Sequence, residues 1–339
     1  MRIGIIGAGS FGTTLAKLWS DAGHKVTLWA REEEVVKSIN EVHRNCLFYP
    51  EVELNENVIG TSELTECLTR RDALVLAVPS KFLRDFVPTL VKAWLSAKTP
   101  ERIPLISIVK GILYDPTELV SSLVKNALSQ KAKVIWVQFS GPNISAEIIR
   151  GLPTASVLAS EATDVVQWLQ MELSAPTLRL YTSTDPIGVE VCGAVKNCLA
   201  LACGMASGLE LGMNARAVLI TRGTLEIQRI VEIFGGNPQT AYGLSGLGDL
   251  VVTGFSENSR NFRAGKALAQ GKTLAEIEAS TREVAEGVRT TKAIVDLIRG
   301  QADESQFPII MEVYRVIYED KPAQDAIKDL MARPLKSES

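Results

Sequence analysis

The stretch Arg2-Ile3-Gly4-Ile5-Ile6-Gly7-Ala8-Gly9-Ser10-Phe11-Gly12 decides how the rest of the chain reads. A short apolar run ends in G-x-G-x-x-G, and Phe11–Ala22 continues with a helical pattern. Strand, glycine loop and helix in that order open a dinucleotide-binding unit. The glycines permit a tight turn, close approach of backbone to a pyrophosphate and tight helix–strand contact. Alone the glycine pattern is weak; its place between a strand and a helix gives it meaning. Gly7, Gly9 and Gly12 are therefore candidate cofactor contacts.

Working outward, Lys25–Trp29, Ala73–Val78, Pro104–Val109 and Val134–Phe139 read as further strands. Glu32–Asn40, Lys81–Leu95 and Thr117–Ser129 read as helices between them. Strands that are apolar throughout and separated by helices indicate a parallel sheet covered on both faces, the doubly wound pattern. Pro153–Ala159, Ala162–Leu173 and Thr177–Tyr181 add one more α/β stretch. After Tyr181 the period of 3.6 dominates. Thr184 or Asp185 caps a helix with Pro186 in its first turn, running to Gly208 or Gly212. Helices follow at Ala215–Phe234, Arg260–Gln270, Leu274–Ser280, Val288–Ile298 and Pro308–Tyr318. The expectation is an α/β protein with a doubly wound N-terminal domain over 1–184, a mostly α-helical domain over 185–333 and a short tail over 334–339.

The 339 residues suit two domains, and 46% hydrophobic with 22% charged residues suits a globular protein. With 36 Lys+Arg against 39 Asp+Glu, no broad basic field argues for nucleic acid, so any anion site is local. Five cysteines without C-x-x-C disfavour a disulfide scaffold and a structural zinc site, so no metal and a reducing, cytoplasmic setting are expected. Met1–Ile6 is too short for a signal peptide. Lys196, Asn197 and Glu210 interrupt the apolar stretch from Ala194 to Leu211, so no membrane span is expected. The only histidines, His24 and His43, lie near the N-terminus, which points any acid–base role to another residue type.

The second strand ends Leu28-Trp29-Ala30-Arg31, where an NAD-selective site would offer a carboxylate to the ribose. Arg31 instead suits a 2′-phosphate, so NADPH is the expected cofactor, with NADH usable through the nearby Glu32. Glu32, Glu33 and Glu34 otherwise suit the next helix's N-terminus. Lys196 sits in an apolar stripe with Val189, Cys192, Gly193, Ala200 and Cys203. Burial there would lower its pKa toward that of a proton exchanger; the alternative is a packed stem with its ammonium in water. Gly243–Leu250 reads as a flexible loop offering one carboxylate, Asp249. Ser259-Arg260-Asn261 opens a helix and could cradle a phosphate. Lys110-Gly111 and Gly141-Pro142-Asn143 follow strands at the carboxyl edge of the sheet, where such folds place ligands.

Read together with Glu147, Glu190 and Gly193-Ala194-Val195-Lys196-Asn197, these motifs resemble, in order from residue 2 to about 330, the bacterial-type NAD(P)-dependent glycerol-3-phosphate dehydrogenases. The resemblance implies a Rossmann domain followed by a helical substrate domain. It also implies interconversion of dihydroxyacetone phosphate and sn-glycerol 3-phosphate, supplying the glycerophospholipid backbone. It further implies cofactor contacts from Ser10, Phe11, Arg31, Lys110, Ser145, Arg260, Val284 and Glu286. Substrate contacts would come from Lys110, Gly141, Asn143, Lys196, Asp249, Ser259, Arg260 and Asn261, with Lys196 as proton donor and acceptor. Asn143 and Ser145 stand where relatives often carry Thr or Ser and Ala, and Phe48-Tyr49-Pro50 replaces Tyr-Leu-Pro. A homodimer is compatible with this resemblance. A ketopantoate-type or β-hydroxyacid reductase shares the first domain and the lysine, but its substrates call for a carboxylate clamp in place of Ser259-Arg260-Asn261. A nucleotide sensor without chemistry would have no need of Lys196, Asp249 and Arg260 together.

Overall fold

Continuous apolar runs and amphipathic runs at period 3.6 alternate in the first half of the chain, and the computed structural model shows the elements they form. It describes residues 1–99, 102–129, 133–280, 285–335 and 337–338. The strands are β1 (Arg2–Ile6), β2 (Lys25–Trp29), β3 (Val58–Thr61), β4 (Ala73–Leu76), β5 (Arg102–Ser107), β6 (Ile112–Leu113), β7 (Glu118–Leu119), β8 (Lys133–Ser140), β9 (Thr154–Ala159) and β10 (Leu178–Ser183). Eight of them form one sheet in the order β10-β9-β8-β5-β4-β1-β2-β3, while β6 pairs with β7. The chain winds one way from β1 to β3 and the other way from β4 onward. That leaves a switch point between β1 and β4, the place where open α/β sheets bind ligands.

Met1–Lys110 and Leu119–Glu190 make one compact unit; Gly111–Glu118 and Val191–Ser339 make the other. In the first unit, α1 (Ser10–Asp21), α2 (Glu33–Val42), α3 (Leu64–Leu68), α4 (Ser80–Ser96), α5 (Val120–Leu128), α6 (Ser145–Ile148) and α7 (Thr163–Leu173) connect the strands. Ile3, Ile5, Leu15, Trp19, Leu28, Val75, Ile106, Val137 and Phe139 are fully buried in its core. Glu33 and Glu34 occupy the first turn of α2, as expected.

The sheet is not parallel throughout. Gln138, Phe139 and Ser140 of β8 pair antiparallel with Ala159, Leu158 and Val157 of β9. An apolar run carries no sign of its direction, so the sequence could not reveal this. The helix expected over Thr117–Ser129 starts only at Val120, because Glu118 and Leu119 belong to β7. The strand β3 and helix α3 went unread: β3 has four residues, including Gly60 and an Ile59 that is 55% exposed, so its apolar signal is weak.

α8 (Pro186–Gly208) carries the chain from one unit into the next, and the Asp185 carboxylate caps it by accepting from Gly188 N–H at 2.9 Å. The division between units falls inside this helix rather than at its start. By length and composition α8 could cross a membrane, but it is almost wholly buried within the protein. The second unit continues with α9 (Gly212–Ile233), α10 (Asp249–Phe255), α11 (Arg260–Ala269), α12 (Leu274–Ser280), α13 (Glu286–Gln301), α14 (Pro308–Tyr318) and α15 (Ala323–Met331). Gly204 and Gly265 let α8 and α11 touch backbone to backbone, since a Cβ on either would lie 2.1 Å from a carbonyl oxygen of the other helix.

Glu226 of α9 caps α14: its carboxylate accepts from Ile309 and Ile310 N–H at 2.9 and 3.0 Å. Burial pushes this carboxyl up to about 7 against the opposing pull of those amides. A carboxyl raised on folding binds more protons in the folded chain than in the unfolded one. Its contribution to stability is therefore full below its unfolded value and is lost as pH rises through about 7. Glu226→Gln cannot ionise, so its melting temperature should gain on that of the wild type between pH 5 and pH 8. A difference that does not move with pH would contradict the account.

Candidate active site

The glycine loop meets three different demands. Gly7 has φ +122°, and a Cβ on it would lie 2.8 Å from Ala77 O. A Cβ on Gly12 would lie 2.0 Å from Gly7 O, so this glycine lets α1 close on the loop. A Cβ on Gly9 would meet nothing within 4 Å. Protein packing thus explains the first and third glycines but not the second. The open space at Gly9, beside the first-turn N–H groups of α1, fits the approach of a pyrophosphate. Ser10 is the first residue of α1, and Phe11 packs on Phe139 with ring centroids 6.0 Å apart. Arg31 is largely exposed and pairs with Glu32 at 2.8 Å, a surface contact that holds it only weakly.

At the carboxyl edge of the same sheet, the Lys110 ammonium donates to Gly141 O at 3.0 Å. Gly141 has φ +143°, and a Cβ there would press on Ala155 O and Ser156 Cα at 3.0 Å. The amide of Asn143 is oriented by Ser156, whose hydroxyl donates to Asn143 Oδ1 at 2.6 Å. Asn143 Nδ2 is buried without a hydrogen-bond partner among the described residues. Ser145 Oγ lies 2.7 Å from Thr14 Oγ1 and 2.6 Å from Tyr49 OH.

In the second unit Lys196 is 5% exposed on α8. Its ammonium donates to Asp249 Oδ1 at 3.0 Å and to Thr253 Oγ1 at 2.7 Å. The Thr253 hydroxyl in turn donates to Asp249 O at 2.6 Å. The stem does not carry the charge out to water; a carboxylate comes in to meet it. This countercharge opposes the effect of burial on the ammonium. Gly243–Leu250, expected as a flexible loop, is instead a π-helical turn, Leu244–Gly248, that runs straight into α10. A Cβ on Gly246 would lie 2.1 Å from Ala241 O, so close packing rather than flexibility calls for its glycine. That turn fixes Asp249 at the start of α10, and Thr253 follows one helical turn later. Sequence reasoning missed Thr253, although its i,i+4 spacing from Asp249 was there to read.

Ser259 caps α11 by accepting from Phe262 N–H at 3.2 Å, as expected of a helix start. The first-turn N–H groups of Arg260 and Asn261 have no acceptor within their own helix. The Asn261 side chain is committed elsewhere: Nδ2 donates to Asn197 Oδ1 at 2.9 Å and Oδ1 accepts from Gly287 N–H at 2.9 Å. It thereby ties α8, α11 and the start of α13 together. Glu286 is the first residue of α13, two residues before the expected start, and Val284 lies outside the described residues. Among the described residues no cluster of His, Cys, Asp and Glu could hold a metal.

A doubly wound sheet with this glycine loop, followed by a helical unit with a buried lysine–aspartate pair, defines a two-unit scaffold of the dinucleotide-binding type. Residues 2–166 match the N-terminal region, and residues 185–328 the C-terminal region, of the NAD-dependent glycerol-3-phosphate dehydrogenase family, and the chain belongs to that family. Glycerol-3-phosphate dehydrogenase [NAD(P)+] of Corynebacterium diphtheriae is 42% identical over 339 residues, covering 100% of both chains. The same enzyme of Geobacter sulfurreducens is 41% identical, covering 99% of this chain and 98% of its own. The crystal structure of glycerol-3-phosphate dehydrogenase from Coxiella burnetii has a TM-score of 0.89 at 35% identity, covering 98% of this chain and 99% of that one.

Removing one partner of a buried ion pair strands the other. Asp249→Ala should therefore destabilise the protein by about 3–5 kcal/mol in urea denaturation, and Lys196→Met combined with Asp249→Leu should recover most of that loss. Equal losses in the single and double variants would contradict the pairing.

Proposed function

We propose that the chain interconverts dihydroxyacetone phosphate and sn-glycerol 3-phosphate with a nicotinamide dinucleotide, NADPH being preferred, and so supplies the glycerophospholipid backbone. The observation that carries this reading is the Lys196 ammonium, held inside the protein by Asp249 and Thr253. The dinucleotide, when bound, supplies the hydride for the C2 carbonyl. Lys196 donates a proton to the oxygen at C2 in the reducing direction and takes one from it in the other. Asp249 and Thr253 restrain the ammonium so that its transferable proton has a fixed origin. Lys110, tied to Gly141 O, orients the carbonyl or the nicotinamide ring.

The start of α11 binds the phosphate of the substrate. Its first-turn N–H groups and the Arg260 guanidinium serve as donors, Ser259 caps the turn, and Asn261 holds it against Asn197. Binding energy from this remote phosphate is spent on alignment at C2. The unpaired Asn143 Nδ2 supplies a further donor for substrate oxygen. Gly7, Gly9, Ser10, Phe11 and Gly12 receive the dinucleotide, with Arg260, Val284 and Glu286 completing its contacts. Arg31 stands where an NAD-selective site would carry an acid, which supports the preference for NADPH. Five free thiols, four of them buried, suit a reducing, cytoplasmic setting.

Initial rates of dihydroxyacetone phosphate reduction with NADPH and NADH test the reading in wild type and Arg31→Asp. Wild type should oxidise NADPH faster. Arg31→Asp should raise KM for NADPH by about 10-fold or more, the scale of a lost charge-assisted phosphate contact, while sparing NADH. Oxidation of neither dinucleotide by wild type would refute the function. Arg260→Ala should erase most of the preference for phosphorylated over unphosphorylated triose; an unchanged preference would remove Arg260 from the phosphate site.

A further inference from the structure

Three hydroxyls meet beside the glycine loop, and counting their protons gives the chain a direction. Thr14 Oγ1 lies 2.8 Å from Ser10 O, a carbonyl that can only accept, so the single Thr14 proton points there. Thr14 must then accept from Ser145, 2.7 Å away. With its own proton spent on Thr14, Ser145 must accept from Tyr49, whose hydroxyl lies 2.6 Å away. The order is fixed: Tyr49 donates to Ser145, Ser145 to Thr14, and Thr14 to the backbone at the first residue of α1. Ser145 therefore has no proton left for a ligand, and its position beside the loop serves another end.

The same segment is fastened at its other end by Asn45, which is fully buried. Asn45 Nδ2 donates to Ala8 O at 2.9 Å and to Thr13 Oγ1 at 2.8 Å, and its Oδ1 accepts from Leu47 and Phe48 N–H, both at 3.2 Å. Both amide protons and both carbonyl lone pairs of that side chain are used. In a trans peptide the C=O and N–H point in opposite directions, so pinning Ala8 O fixes where Gly9 N–H points. Gly9 is the glycine whose missing side chain protein packing does not explain.

We propose that Asn45–Tyr49 is a strap that sets the shape of the glycine loop, and that Tyr49, through Ser145 and Thr14, is a positioning residue for the dinucleotide that it does not touch. This rests on the dinucleotide reading given above. One broken link disables the whole hydroxyl chain, so losses at Tyr49 and Ser145 do not add.

The test uses the full chain with Tyr49→Phe, Ser145→Ala and the pair together. NADPH dissociation constants are measured by titration calorimetry, and amide hydrogen exchange at 45–49 is measured without dinucleotide. Each single variant should weaken NADPH binding by about 3–10-fold, the scale of one hydrogen bond, and the pair by no more than either alone. Exchange at 45–49 should quicken in all three. In Tyr49→Phe, KM for NADPH should rise with kcat within about twofold; a merely unfolding variant would lose kcat instead. Wild-type affinity in Tyr49→Phe, losses that multiply in the pair, or unchanged exchange would each overturn the strap. Failure of wild type to bind NADPH overturns the dinucleotide reading and the strap's role together. Binding without triose reduction overturns only the reaction, and the dissociation constants still decide the strap.

Discussion

A lysine ammonium placed inside a protein needs an anion beside it, because desolvation of an isolated charge costs more than a fold of ordinary stability can sustain. Lys196 meets this need through Asp249, and the second unit is arranged around the pair. The π-helical turn at Leu244–Gly248 delivers Asp249 to the start of α10, and Thr253 receives another ammonium proton. α11 lies against α8 at glycine-to-backbone distance, which sets its first turn beside Asn197, the residue next to the lysine. Lys196 and the first turn of α11 are thus held by one helix.

The first unit solves a different problem, the close approach of backbone to a large anion. Its sheet brings β1 between β2 and β4, and the loop after β1 opens at the switch point. Gly7 and Gly12 are demanded by neighbouring backbone, whereas a Cβ on Gly9 would meet nothing within 4 Å. Lys110 and Gly141 close the carboxyl edge at β5 and β8. Buried hydrogen bonds do the fixing in both units, as they must where each donor can be assigned only once.

Much of this was legible in the sequence, and the gaps have physical causes. β1 and β2 were readable to the residue because both are apolar and bounded by glycine or charge. Lys196 announced itself as a charge in an apolar stripe. The direction of β9 could not be read, since pairing geometry leaves no trace in composition. Gly243–Leu250 was misread as mobile because three glycines suggest freedom when each is considered without its neighbours; a carbonyl 2.1 Å from the absent Cβ of Gly246 gives the better reason. Ser145 looked like a cofactor contact, yet its proton is spent on Thr14, a partner 131 positions away in sequence. Long-range partners of this kind decide a polar side chain's role, and only the fold supplies them.

The account turns on whether the caged ammonium moves the proton. The most direct measurement is kcat for dihydroxyacetone phosphate reduction in Lys196→Ala, with NADPH binding measured on the same sample to show that the first unit is intact. The loss of a positioned acid–base group predicts a fall of about 100-fold or more with binding preserved. Near-normal turnover would contradict it.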